Sequence, residues 1–139
     1  MSNMPFTSQG DATPTFSGTT GAVALALGVG VKASGTNTYV VAGAGDDGVG
    51  VTNATPSDAG ATAGATYAVG AAVSIQRGQC IVCSGAAITV GDELTTDAAG
   101  KFIKRTAATE GAWGHATTAA GGADEFITAY INPSSALHN

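Results

Sequence analysis

Apolar residues along this chain fall in short runs of four to seven, interleaved with Thr, Ser and Gly, and separated by glycine-rich turns. Val, Ile, Thr and Tyr recur in these runs, as strands prefer. The pattern predicts strands over residues 23–27, 39–42, 48–51, 65–69, 73–77, 79–84, 92–95, 101–106 and 125–131. Residues 96–101 (Thr-Asp-Ala-Ala-Gly-Lys) predict a hairpin turn, in which Asp97 bonds the turn backbone and Gly100 takes a left-handed conformation. Asn37-Thr38 and Asp46-Asp47-Gly48 predict similar turns. Glycines inside several strands mark bulges or close backbone approach. A short Ala-rich run over 113–120, ended by Gly121-Gly122, is the one helical candidate. Many short strands at near-regular spacing predict an all-β fold, a small antiparallel barrel or sandwich.

The run over 125–131 is apolar on both faces. Phe126 and Tyr130 share one side with Thr128, while Ile127, Ala129 and Ile131 share the other. A strand apolar on both faces is buried on both. One face is expected to pack the core and the other a neighbouring subunit, so Phe126, Ile127, Ala129, Tyr130 and Ile131 are the candidate subunit-interface residues.

One pattern is read twice. Leu27-Gly28-Val29-Gly30-Val31, Thr38-Tyr39-Val40-Val41 and Gly48-Val49-Gly50-Val51 are echoed by Val90-Gly91-Asp92-Glu93-Leu94, Lys101-Phe102-Ile103-Lys104 and Gly111-Ala112-Trp113-Gly114-His115-Ala116. Gly28 lies 63 positions from Gly91 and Tyr39 lies 63 from Phe102; Gly50 lies 64 from Gly114. Such an echo predicts a degenerate internal β repeat, over about 22–70 and 86–131. Residues 1–20 are polar and hold Pro5 and Pro14, which predicts an extended N-terminal arm. A barrel domain over 21–132 and a C-terminal tail over 133–139 complete the expected organisation. An arm with so few apolar anchors is ordered only when something holds it. Met4, Pro5, Phe6, Pro14 and Phe16 are therefore the candidate contacts to a larger partner, by strand addition.

Composition changes this picture in one respect. At 139 residues the chain is 44% hydrophobic but only 11% charged, where about a quarter is usual. A free monomer needs charge to coat its surface, so the shortage predicts surface hidden against neighbours, that is, a homo-oligomer or a docked protein. Aromatics make up 6% and glycines number 21, which leaves a core of small side chains and a large unfolded-state entropy to oppose it. The net charge of −5 argues against nucleic-acid binding. The basic residues Arg77, Lys101, Lys104 and Arg105 read as a solvated or interfacial strand, or as a contact for an acidic partner. No run approaches the length of a membrane span, and the N-terminus lacks the pattern of a secretory signal. A cytoplasmic site of synthesis, with reduced thiols, is the expectation.

No motif carries catalysis. Cys80-Ile81-Val82-Cys83 is a CxxC, but on a strand its thiols point to opposite faces, so the pair reads as packed thiols rather than a redox or zinc site. Gly43-Ala44-Gly45-Asp46-Asp47-Gly48 fits GxGxxG, yet a strand pattern follows where a nucleotide-binding fold needs a helix. Asp46-Asp47 and Asp92-Glu93 lack calcium-loop spacing. His115 and His138 are isolated, and no serine sits in a nucleophile elbow. The reading is therefore of a non-enzyme with no cofactor and no metal. Trp113, the single tryptophan, is either a core residue after a turn, or a platform for sugar or an anchor at an interface.

The words Ala87-Ile88-Thr89-Val90-Gly91-Asp92-Glu93-Leu94-Thr95-Thr96-Asp97-Ala98-Ala99-Gly100-Lys101, then Gly114-His115-Ala116, then Phe126-Ile127-Thr128-Ala129-Tyr130-Ile131 resemble the capsid decoration, or head-cement, proteins of tailed bacteriophages. The family pattern looks like x-I-x-x-G-D-x-V-x-x-D-x-x-G, a variable strand, G-x-A and a closing apolar strand. Leu94 stands where valine is usual, and His115 sits inside the G-x-A step. The resemblance covers about a third of the chain directly. It implies a small β-barrel, commonly a trimer, on the outer surface of the virion head. There it would bind the major capsid protein and hold capsid subunits together, without touching nucleic acid or membrane. The alternative from another class is a tail-associated or carbohydrate-binding adhesin, which an exposed Trp113 would favour.

Overall fold

The computed structural model describes residues 15–21, 25–52, 66–67 and 72–133. Twelve strands occur among them and no helix. In chain order they are β1 (Thr15–Thr20), β2 (Leu25–Ala26), β3 (Gly30–Gly35), β4 (Thr38–Val41), β5 (Gly50–Thr52), β6 (Thr66–Tyr67), β7 (Ala72–Gln76), β8 (Gly78–Cys83), β9 (Glu93–Thr96), β10 (Phe102–Lys104), β11 (Gly114–Ala116) and β12 (Phe126–Ile131). The all-β expectation holds.

Two larger sheets carry the fold. The first is a closed barrel in the order β1-β4-β3-β5-β7, and the second runs β10-β9-β11-β12-β8. A short pair, β2 and β6, stands apart. The two large sheets follow one path. In the first, β3 pairs antiparallel with β4 (Val31 opposite Val41) and with β5 (Val31 opposite Gly50). In the second, β9 pairs antiparallel with β10 (Leu94 opposite Lys104) and with β11 (Leu94 opposite Gly114). Next, β5 joins β7 with Val51 opposite Gln76, as β11 joins β12 with His115 opposite Tyr130. Finally, β7 pairs with β1, Ile75 opposite Phe16, as β12 pairs with β8, Ala129 opposite Cys80.

Closure is shared too. A parallel pairing of Thr20 with Tyr39 seals the barrel, and a single parallel bridge from Ser84 to Phe102 joins the edges of the second sheet. Gly21 N donates to Tyr39 O at 2.8 Å, and Gly85 N donates to Phe102 O at 2.7 Å. The sequence spacings of 63 and 64 thus reappear as one ladder register written twice. Strand by strand, each copy reaches further towards its start than the sequence echo does: β1 opens the first and β8 the second.

Three expectations are corrected. Thr15–Thr20 is not part of a free arm but the strand that closes the barrel, paired with β7 along five residues. Its polar run (Thr-Phe-Ser-Gly-Thr-Thr) hid it, because the ladder hydrogen bonds that hold it come from strands remote in sequence. The candidate helix is absent: Gly114–Ala116 is β11, bonded on both sides by β9 and β12. Alanine's helix preference yields to ladder pairing there, and Gly114, at φ +138°, could not sit in a helix. Gly30–Gly35 is a strand that its two glycines and Lys32 concealed. Met4, Pro5, Phe6, Pro14 and the tail beyond Pro133 lie outside the described residues.

The predicted hairpin between β9 and β10 forms. Asp97 Oδ1 accepts from Ala99 N (2.9 Å) and Lys101 N (3.0 Å), and Gly100 takes φ +77°. The Gly-Asp step before β9 has a similar logic. Gly91 is left-handed, and Asp92 Oδ2 accepts from Thr89 N at 2.9 Å.

Two apolar clusters fill the interior. Leu25, Val31, Tyr39, Val73 and Ile75 pack the barrel. The larger cluster gathers Val82, Leu94, Phe102, Trp113, Ile127, Ala129 and Ile131 from the second sheet with Ala42 and Val51 from the barrel.

Candidate functional site

Among the described residues, the seam between barrel and second sheet brings together the largest buried side chains and a set of cross-sheet hydrogen bonds. Trp113 is fully buried in it. Its ring meets Phe102 edge-on, centroids 5.4 Å apart and planes at 81°, the geometry that aromatic quadrupoles prefer. Its Nε1 donates to Asp46 O at 2.9 Å, so the one polar atom of the ring is satisfied across the seam. Two barrel glycines make room. A Cβ at Gly30 would stand 2.8 Å from the ring, and one at Gly48 would overlap it. Backbone bonds stitch the same seam: Gly30 N to Gly100 O (2.8 Å), Gly45 N to Thr96 O (2.9 Å) and Cys83 N to Gly28 O (2.8 Å). Thr96 Oγ1 adds a bond to Gly43 O at 2.8 Å. A buried Trp113 offers no platform to a sugar.

The expected subunit-interface strand divides differently from the sequence reading. Ile127, Ala129 and Ile131 are buried in the chain's own core, so they are not available to a neighbour. The reason is topological: β12 is flanked by β11 and β8, and its odd-numbered face closes over Leu94 and Phe102 in one cluster. Phe126 is half-buried against the Gly28 turn. Tyr130 alone of the five is exposed, at 45%. Phe16 holds the ladder position opposite Ile75 in β1.

Tyr130 lies in a row that sequence reasoning missed. Across four strands, Gln79, Tyr130, His115 and Glu93 stand side by side in register. All four are exposed, and the Tyr130 and His115 rings lie 5.8 Å apart at 32°. Arg105 closes the row, its Nη1 donating to Glu93 Oε1 at 2.9 Å. Below it Thr117, Thr118 and Thr128 hydrogen-bond through their hydroxyls, and Gln79 Nε2 donates to Thr117 Oγ1 at 3.0 Å. Only strand register brings these residues together.

The cations are spoken for. Lys32 donates to Asp46 Oδ2 at 2.7 Å, Lys101 pairs with Asp124, and Lys104 approaches Asp92 at 3.8 Å. Arg77 Nε donates to Val49 O at 2.6 Å. The basic stretch seen in sequence is therefore neutralised within the chain. Lys32 and the backbone N–H of Gly43 hold the Asp46 carboxyl below its usual range. Asp124 raises Lys101, and the backbone N–H groups of Thr106 and Ala107 lower Glu110.

Cys80 and Cys83 are free and buried. Burial pushes the Cys80 thiol up to about 12 and raises Cys83 as well. Such thiols are poor nucleophiles. Among the described residues no group of three or more His, Cys, Asp or Glu could hold a metal ion. No helix among them is long and apolar enough to cross a membrane.

No family model matches this chain, and no curated protein matches it. Among solved structures it is similar in fold to the head fiber gp8.5 N base in bacteriophage phi29, with a TM-score of 0.63 and 16% identity. The likeness covers 87% of this chain and 95% of that one.

Proposed function

We propose that this chain is a structural, non-catalytic protein of a phage head, attached to the outer surface of the capsid. The observation that carries the reading is the fold shared with a head-fiber base over nearly the whole of both chains. The resemblance of residues 87–131 to capsid decoration proteins points the same way. So does the low charge: with every Lys and Arg engaged within the chain, little remains to recognise a polyanion. The partner in this reading is the major capsid protein, and the working form is a homo-oligomer, a trimer. Tyr130, and not the interior face of β12, is the residue of that strand left for a neighbour. The adhesin alternative loses its tryptophan platform with Trp113 buried.

Co-sedimentation tests the reading. Purified full-length chain is mixed with heads of the phage that encodes it, stripped of their own copy. Saturable binding at a fixed ratio to capsid subunits is expected. A folded chain that stays in the supernatant at every head concentration would refute it.

A further inference from the structure

The two copies of the ladder are not treated alike, and the difference has a direction. In the first barrel, Gly28, Gly30, Ala42 and Val51 are buried against the second sheet, and Val41, half-buried on the barrel's own cluster, also reaches Gly100 of the second sheet. Register fixes their counterparts. Gly30 lies opposite Val51, and Glu93 opposite His115. Val41 lies opposite Val31, and Lys104 opposite Leu94. Ala42 N donates to Gly30 O at 2.9 Å, and Arg105 N donates to Glu93 O at 2.7 Å. The face that fuses the first barrel to the second sheet therefore recurs on the second sheet as Gly91, Glu93, Lys104, Arg105 and His115. Glu93, Lys104 and His115 are exposed there, and Arg105 is half-buried.

The receiving edge shows the converse. On the second sheet it is built from Cys83, Thr96, Gly100 and Trp113, all buried. The matching barrel positions are Thr19, Ala33, Asn37 and Val49, of which the first three are exposed. A contact of this kind is head-to-tail, and repeated between copies it would build a ring or an open filament. Stacked repeats avoid that with a polar terminal face.

We propose that Glu93, Lys104, Arg105 and His115 cap the stack, so that another copy of this chain cannot add through the contact that joins its own two halves. Seating a further module there would strip water from a carboxylate, an ammonium and a guanidinium, and nothing on the added face would replace it. The barrel side lacks an anchor as well, with Val49 where the second sheet carries Trp113. In a chain only 11% charged, ionic groups stand where the first copy has small and apolar ones. The inference stands whether or not the protein belongs to a phage head. It bars the head-to-tail contact alone and leaves association through the neighbouring Tyr130 open.

The test gives the second sheet the first barrel's residues (Glu93→Gly, Lys104→Val, Arg105→Ala and His115→Val) and the barrel the second sheet's anchor (Val49→Trp), all in the full chain. Circular dichroism checks folding, and sedimentation velocity reads mass across a tenfold concentration range. The parent is expected to hold one mass, and the variant to rise about twofold or more, as head-to-tail addition requires. If that variant does not fold, Arg105→Ala and His115→Val with Val49→Trp are read the same way, with a smaller rise. A folded variant with flat mass overturns the proposal. So does a variant that stays flat yet no longer binds its partner, since the row would then be a docking surface rather than a cap.

Discussion

Replacing Trp113 with alanine puts a magnitude on the seam. The side chain is fully buried, so the substitution removes its packing and opens a cavity between the two halves. Phe/Trp→Ala changes in cores cost about 3–5 kcal/mol. Here the edge-on contact with Phe102 is lost as well, and Asp46 O is left without the indole donor. The collapse that softens such cavities is limited, because Gly30 and Gly48 offer no side chains to swing inward. A loss of about 4–5 kcal/mol follows, near the upper end of that range. Against a typical total of about 5–15 kcal/mol, this leaves a marginal protein. Urea unfolding followed by far-UV circular dichroism measures it, since the variant has no tryptophan to report fluorescence. Trp113→Phe separates the contributions: it keeps a ring and drops the N–H, and about 1–2 kcal/mol is expected. A Trp113→Ala protein within about 1 kcal/mol of the parent, at unchanged denaturant slope, would refute the account of the seam.

Further outcomes test the same architecture. Gly30→Ala is expected to cost stability in the parent and much less in the Trp113→Ala background, because its Cβ meets that ring and a Thr96 methyl. Gly48→Ala keeps a Val31 carbonyl in its way, so the same background should rescue it poorly. Equal rescue of both in thermal melts would contradict the geometry. Gly114→Ala combines φ +138° with overlap of its Cβ on the Tyr130 carbonyl. Failure to accumulate folded protein is expected, and a melting point near the parent's would count against the β11 register. The Cys80 thiol is raised from about 9 to about 12. The folded state therefore resists ionisation that the unfolded chain undergoes, and stability present below about pH 9 is lost as pH climbs towards 12. Cys80→Ala should flatten that alkaline limb in urea titrations; an unchanged limb would assign it elsewhere.

What the sequence revealed was governed by how local each signal is. Turns are local, so Asp97 and Gly100 announced their hairpin and built it. Runs of Val and Ile announced β7, β8 and β12 for the same reason. The strand β1 is polar and held by partners some 60 positions away, Ile75 opposite Phe16 and Gln76 opposite Thr15, so nothing within it separated it from an arm. The face of β12 that is interior was undecidable from alternation alone, because Ile127 and Tyr130 are both apolar enough for either side. Register decided it. Trp113 showed itself as special, but the glycines that receive it, Gly30 and Gly48, lie far off in sequence. The exposed row of Gln79, Tyr130, His115 and Glu93 came from four separate strands, and no motif linked them.

The join between the two halves is a single residue: β7 ends at Gln76 and β8 begins at Gly78. Every strand of the barrel precedes that point, so a nascent chain can close it while the remainder is still inside the ribosome. Its small, apolar fusing face then waits bare until the last strand, β12, arrives some 50 residues later. At about 5–20 residues per second, that window lasts about 2–10 s. Translation pauses beyond codon 77 lengthen it, and slower synthesis of the second half is expected to raise the share of the protein that aggregates in an expressing cell.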